Sequence, residues 1–132
     1  MDSVQPVSNL RMSGVVAEIS DRRLSQRTAQ KYQVTVDYAP DGKIATHYYP
    51  YYDRDTGELV GAKQRFVSNK QFVCSGNMTN VGLFGQKQCR GSGKYITITE
   101  GELDAMAVYE MFGQKYDVVS LRSGASSAAR EI

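Results

Sequence analysis

Three carboxylates fall within five positions of the stretch YITITEGELDAM, Tyr95 to Met106. Glu100, Glu102 and Asp104 stand where a strand-like run, Tyr-Ile-Thr-Ile-Thr, gives way to a helix-like pattern. Acidic side chains in a first helical turn are favoured by the helix dipole, by about 0.3–1 kcal/mol each. Glu102 and Asp104 suit that role. A carboxylate at the carboxyl end of a strand in an open α/β sheet can do something else, because ligands and catalytic groups collect there. Glu100 precedes the helix and closes the strand, and Gly101 lets the backbone turn sharply behind it. Mg²⁺ would suit Glu100, since this hard ion takes one or two carboxylates and keeps its waters for phosphate oxygens. Residue type alone leaves both roles open, metal ligand and helix cap.

A second group is basic. Lys63 and Arg65 are two apart on a strand-like run, so they project from one sheet face, and Lys70 opens the next run. Such a ridge could neutralise phosphates; the alternative is a solvated edge where lysine discourages strand pairing. SLRSGAS, 120–126, could offer backbone N–H groups to a phosphate at a helix start, and Ser123 or Gly124 could equally cap that helix. CRGSGK, 89–94, lacks P-loop spacing and reads as a surface loop. Tyr48, Tyr49, Tyr51 and Tyr52 could stack bases on an exposed sheet, although such tyrosines more often pack a core. The single histidine, His47, has no Cys or His partner, and Cys74 and Cys89 form no CxxC pair, which argues against zinc. Both cysteines read as thiols in a reducing, cytosolic compartment.

Those residues need elements to hold them. SQRTAQKY, from Ser25, reads as a short surface helix capped by Ser25. QVTVDY (33–38), IATHYYPYYD (44–53), LVGAKQRFV (59–67) and KQFVCSG (70–76) read as an antiparallel meander, with turns at PDG and DRDTGE. Pro50 cannot donate to a ladder, which puts the second half of its strand at an edge or bulge. KYITIT (94–99) then reads as a buried strand. Residues 101–112 form a helix with Leu103, Met106, Ala107 and Met111 on one face and Gly113 as its C-terminal cap. DVVSL (117–121) is another strand, and SGASSAAREI opens a second helix, so this part is a βαβ unit with a parallel pair.

The segment ITITEGELDAMAVYEMFGQKYDVVSLRSGASSAA resembles the first half of a TOPRIM domain. The likeness is to the primase half of bifunctional phage primase–helicases, a group related to DnaG-type bacterial primases and the mitochondrial Twinkle helicase. It rests on the TEGExD turn, Thr99–Asp104, and on its spaced SLxxGAS partner. It extends upstream through YYDRDTGELVGAKQRFVSNKQFVCSG, LFG (83–85) and RRLSQRTAQKY, so roughly residues 15–132 are covered.

The resemblance implies an α/β (overall α+β) chain: a leader at 1–14, a basic antiparallel subdomain at 15–92, and the first βαβα half of a TOPRIM fold at 93–132. It implies Glu100 as metal ligand or general base for an attacking 3′-hydroxyl, and Asp104 as support for the metal. Lys63, Arg65 and Lys70 would face that glutamate and hold a triphosphate or template–primer backbone. The implied function is RNA primer synthesis on single-stranded DNA from NTPs with Mg²⁺. The family's D-x-D motif does not follow Ser126, so the isolated chain is expected to be inactive, a truncated primase needing further carboxylates and a helicase module in cis or trans. Zinc-module and helicase activities are not expected of it.

Composition is compatible: 132 residues suffice for one domain, 41% are apolar and no run reaches membrane-spanning length. A net charge of +2 is too mild to imply nucleic acid by itself, so any basic site must be local. Other TOPRIM enzymes (a nuclease or topoisomerase), a non-catalytic nucleic-acid-binding module and a purely structural βαβ domain remain alternatives. Self-association through an exposed sheet edge is a further expectation.

Overall fold

The computed structural model describes residues 10, 12–69, 71–89, 96–114 and 116–121. Lys70, Arg90, Lys94, Ser123, Gly124 and the second helix expected after Leu121 lie outside them.

Helix α1 spans Gln26–Tyr32, and the Ser25 hydroxyl accepts the Thr28 N–H as the sequence predicts. Four strands follow as an antiparallel meander in order β1-β2-β3-β4: Thr35–Tyr38, Ile44–Tyr52, Leu59–Phe66 and Phe72–Gly76. β5 (Thr97–Thr99), α2 (Glu102–Met111) and β6 (Val118–Ser120) form the parallel βαβ unit. The ladder with β1 stops at Tyr48, so Pro50 lies where β2 has β3 alone beside it, next to a register shift at Tyr51/Tyr52. That is the edge position its missing donor requires. Among the described residues no helix is long and apolar enough to cross a membrane.

Directly paired residues of antiparallel strands share a face. The register therefore lines up Val36, His47, Arg65 and Phe72 in one cross-strand row, and Tyr49, Lys63 and Cys74 in the next. This face meets the βαβ unit through Phe84. Its ring stacks on Tyr32 at 5.1 Å and takes Tyr49 edge-on at 5.7 Å, while its backbone exchanges two 3.0 Å bonds with Ser120. Gly85 must be glycine: its φ is +84°, and a Cβ would sit 2.5 Å from Tyr32 Cε1. One hydrophobic cluster, including Tyr32, Tyr49, Phe84, Met106 and Val118, joins residues from both predicted parts of the chain. Ser13 and Gly14 lie against β1, where the Thr35 hydroxyl donates to the Ser13 carbonyl at 2.5 Å and Val15 bridges Val36.

Three expectations need correction. α1 is no free surface helix, because Thr28, Ala29 and Tyr32 are buried and Glu110 of α2 accepts bonds from Ser25 and Thr28. β5 is not buried: Ile96 is 50% and Ile98 44% exposed, since β5 has a single strand neighbour among the described residues. Met111 is 79% exposed, because α2 turns Glu102, Ala105 and Met106 inward and Met111 falls past the end of that contact.

Candidate active site

The β5-to-α2 turn carries three carboxylates and treats them differently. Glu100 closes β5 and is exposed; Asp104 is exposed in the first turn of α2. Asp104 folds back on the turn, so that a methyl group added to Gly101 would lie 3.4 Å from its Oδ2. Glu102 alone is buried, at 4% exposure. Its Oε2 accepts the Tyr51 hydroxyl at 2.5 Å and pairs with Lys63 Nζ at 3.1 Å. Glu102 does occupy the first turn, as a dipole-stabilised acid would, but its burial is tolerated because a cation and a hydroxyl satisfy it.

Across from the turn stands the basic row of β3. Lys63 and Arg65 share the face read from their spacing. Lys63 is bent into Glu102 and lies 4.3 Å from the centroid of the Phe72 ring. Arg65 lies 5.9 Å from the same ring, and its buried Nε has no hydrogen-bond partner among the described residues. Between turn and sheet is an open cleft of about 190 Å³, walled by Gly101, Glu102, Leu103 and Asp104 on one side and by Arg22, Tyr49, Arg65 and Phe72 on the other.

Tyr49, which lines the cleft, has a polar partner behind it. His47 Nδ1 lies 3.0 Å from the Tyr49 hydroxyl, and both residues are buried. Burial pushes the Tyr49 hydroxyl pKa up and the Glu102 charge adds to the rise, while Arg65 and Arg22 act against it. Tyr48, Tyr49 and Tyr51 are core residues, in line with the packing alternative for the tyrosine run. Both cysteines are free. Among the described residues no three His, Cys, Asp or Glu side chains group as a metal site.

The cleft thus brings Asp104 and Arg65 together, whereas Glu100 and Lys63 do not line it and Lys63 is engaged with Glu102. Sequence reasoning did not single out Arg22, Tyr49, Tyr51 or Phe72 for this site. The period-2 register with Lys63 and Arg65 could have found Tyr49 and Phe72; nothing local marked Arg22.

No protein-family model matches the chain. The DNA helicase/primase of enterobacteria phage T3 is 35% identical over 120 residues, which are 89% of this chain and 20% of that protein. The crystal structure of the primase fragment of the bacteriophage T7 primase-helicase protein matches with a TM-score of 0.76 at 34% identity, covering 91% of this chain and 50% of that one. A second structure shows the T7 lagging-strand DNA polymerase interacting with primase domains of two gp4 subunits bound to an RNA/DNA hybrid and dTTP. It matches with a TM-score of 0.74 at 34% identity, covering 88% of this chain and 57% of that one. The chain is homologous to part of the primase region of phage primase–helicases, which are DNA replication proteins. The relatives that establish this are those of phages T3 and T7, and the chain spans about a fifth of the T3 protein and half of the T7 primase fragment.

Proposed function

We propose that the chain contributes part of the catalytic core of a DNA primase, with β5, α2 and β6 forming the first half of a TOPRIM fold. The observation that carries this reading is the turn after β5, whose exposed Asp104 shares a cleft with Arg65 of β3. Phosphoryl transfer needs that opposition, with carboxylates to hold metal and cations to hold phosphate. Homology to phage primase regions supports the choice of reaction over nuclease or topoisomerase chemistry.

The donor set suits Mg²⁺. Glu100 and Asp104 are two exposed carboxylates on one turn, while Glu102 is already neutralised by Lys63. When bound, the cation would supply Lewis-acid stabilisation of the phosphate oxygens. Glu100 would hold the metal or deprotonate the attacking 3′-hydroxyl, Asp104 would support the metal, and Arg65 would draw phosphate charge into the cleft. The primase domains in the T7 assembly are bound to an RNA/DNA hybrid and dTTP; single-stranded DNA template, NTPs and an RNA primer are the partners proposed for this region.

Primer synthesis from labelled NTPs with Mg²⁺ on single-stranded DNA tests the reading, using the chain alone and within its full reading frame. The expected result is synthesis by the full frame and its loss, by at least about a hundredfold, in Glu100→Gln. Full activity in Glu100→Gln would remove the carboxylate from the mechanism. A second reading, a non-catalytic nucleic-acid-binding module, is favoured by the lack of a three-carboxylate group among the described residues. Salt-sensitive DNA binding by a folded full frame that never makes primers would select it.

A further inference from the structure

We infer that the ring of Phe72 is a stacking platform for a nucleobase at the cleft. The inference deepens the primase reading and rests on it for the natural ligand. The tyrosine run that could have stacked bases is packed away, since Tyr48, Tyr49 and Tyr51 are buried. Phe72 opens β4, the edge strand of the meander, and is 49% exposed. Of the exposed large apolar side chains among the described residues, it alone lines the cleft. Tyr38 stands on β1 at the opposite edge of the sheet, and Phe112 and Tyr116 meet edge-on at 5.9 Å beyond the end of α2.

The ring is also held in place. Lys63 Nζ lies 4.3 Å from its centroid, and that ammonium is fixed by Glu102 at 3.1 Å. Arg65, the direct cross-strand partner of Phe72, lies 5.9 Å from the same ring. A ring anchored by cations on a paired strand loses little freedom when a second ring covers it. Every base has a π-face to offer, and a phenyl group has no hydroxyl with which to read a base edge, so the contact is with the base plane and tolerates any sequence. The volume fits one planar group: about 190 Å³ is below the ~300 Å³ at which pockets for whole small-molecule ligands begin.

The test uses 2-aminopurine, a base whose fluorescence falls on stacking. It is titrated against the folded chain in two forms, within a single-stranded oligothymidylate and as the free ribonucleoside triphosphate. Phe72→Leu keeps an apolar side chain and removes the ring; it is expected to weaken binding about tenfold and to abolish the quenching. Phe72→Tyr restores the ring and should bind within about twofold of the parent. An abasic oligomer of the same length should bind the parent and Phe72→Leu alike. Circular dichroism verifies that each variant is folded. Quenching of the triphosphate alone assigns the platform to an incoming nucleotide, and quenching of the oligomer alone to template or primer; either supports it. Absence of quenching with both probes at saturating parent chain would overturn the inference, as would quenching that survives Phe72→Leu. So would an abasic oligomer weakened as much as the normal one, which would mean that Phe72 acts through its cations and not through a base. Quenching that depends on Phe72, in a chain whose full frame makes no primers, would remove the primase reading and leave the platform standing.

Discussion

Glu102 carries its charge at 4% exposure with one cation and one phenol to satisfy it. Breaking such a pair leaves a buried charge uncompensated, whereas removing both partners together is often nearly neutral. Lys63→Met is therefore expected to destabilise the chain by about 3 kcal/mol, and Lys63→Met/Glu102→Gln by clearly less. Equilibrium urea unfolding measures both. Tyr51→Phe removes one donor and should cost about 1–2 kcal/mol by the same measurement. At this scale the sequence was half legible. The TEGExD spacing marked the turn, and the two-residue spacing of Lys63 and Arg65 marked their common face. Which carboxylate is buried was not legible, because the Tyr51 hydroxyl that selects Glu102 lies 51 residues away in sequence.

The elements were more readable than their burial. Alternation and turn residues located the meander, and Ser25 located the start of α1. The burial of α1 was hidden because its partner is Glu110, 85 residues downstream. That carboxylate accepts the Ser25 N–H at 2.9 Å and the Thr28 hydroxyl at 2.7 Å. Partial burial raises its pKa, but the Ser25 N–H and the Thr28 and Ser25 hydroxyls outweigh this and hold it below the ordinary glutamate value. A depressed carboxylate stabilises the fold fully above its unfolded pKa and loses that contribution as pH falls through the folded value. Glu110→Gln should cost about 1 kcal/mol near neutral pH, and the difference from the parent should shrink as pH falls below the ordinary glutamate range. Thermal melts across pH check the sign. Gly85→Ala, which combines φ +84° with a clash against Tyr32, should lower stability by more than about 2 kcal/mol.

For the whole molecule, the sheets are joined by an aromatic hinge-pin, Phe84, rather than by a continuous ladder. This places a cationic sheet face against the open end of a short parallel pair and leaves Ile96 and Ile98 half exposed. A strand with one neighbour among the described residues favours pairing with a second chain. Sedimentation over micromolar concentrations should show association that Ile98→Lys weakens; monomeric behaviour throughout would contradict it. The overall charge of +2 gave no hint of the basic face, because it sums sixteen cations against fourteen acids along the whole chain and says nothing of the two, Lys63 and Arg65, that share a face of β3. The central claim is that the β5-to-α2 turn holds catalytic metal. Its most direct test is Mn²⁺ titration of the ¹⁵N-labelled chain, followed by paramagnetic broadening of backbone amides. The account predicts selective loss of signals from Thr99 to Asp104, abolished by Glu100→Gln, with signals of the other acidic turn at Asp53 and Asp55 persisting. Broadening confined to Asp53 and Asp55, or unchanged by Glu100→Gln, would contradict it and return these carboxylates to holding the helix.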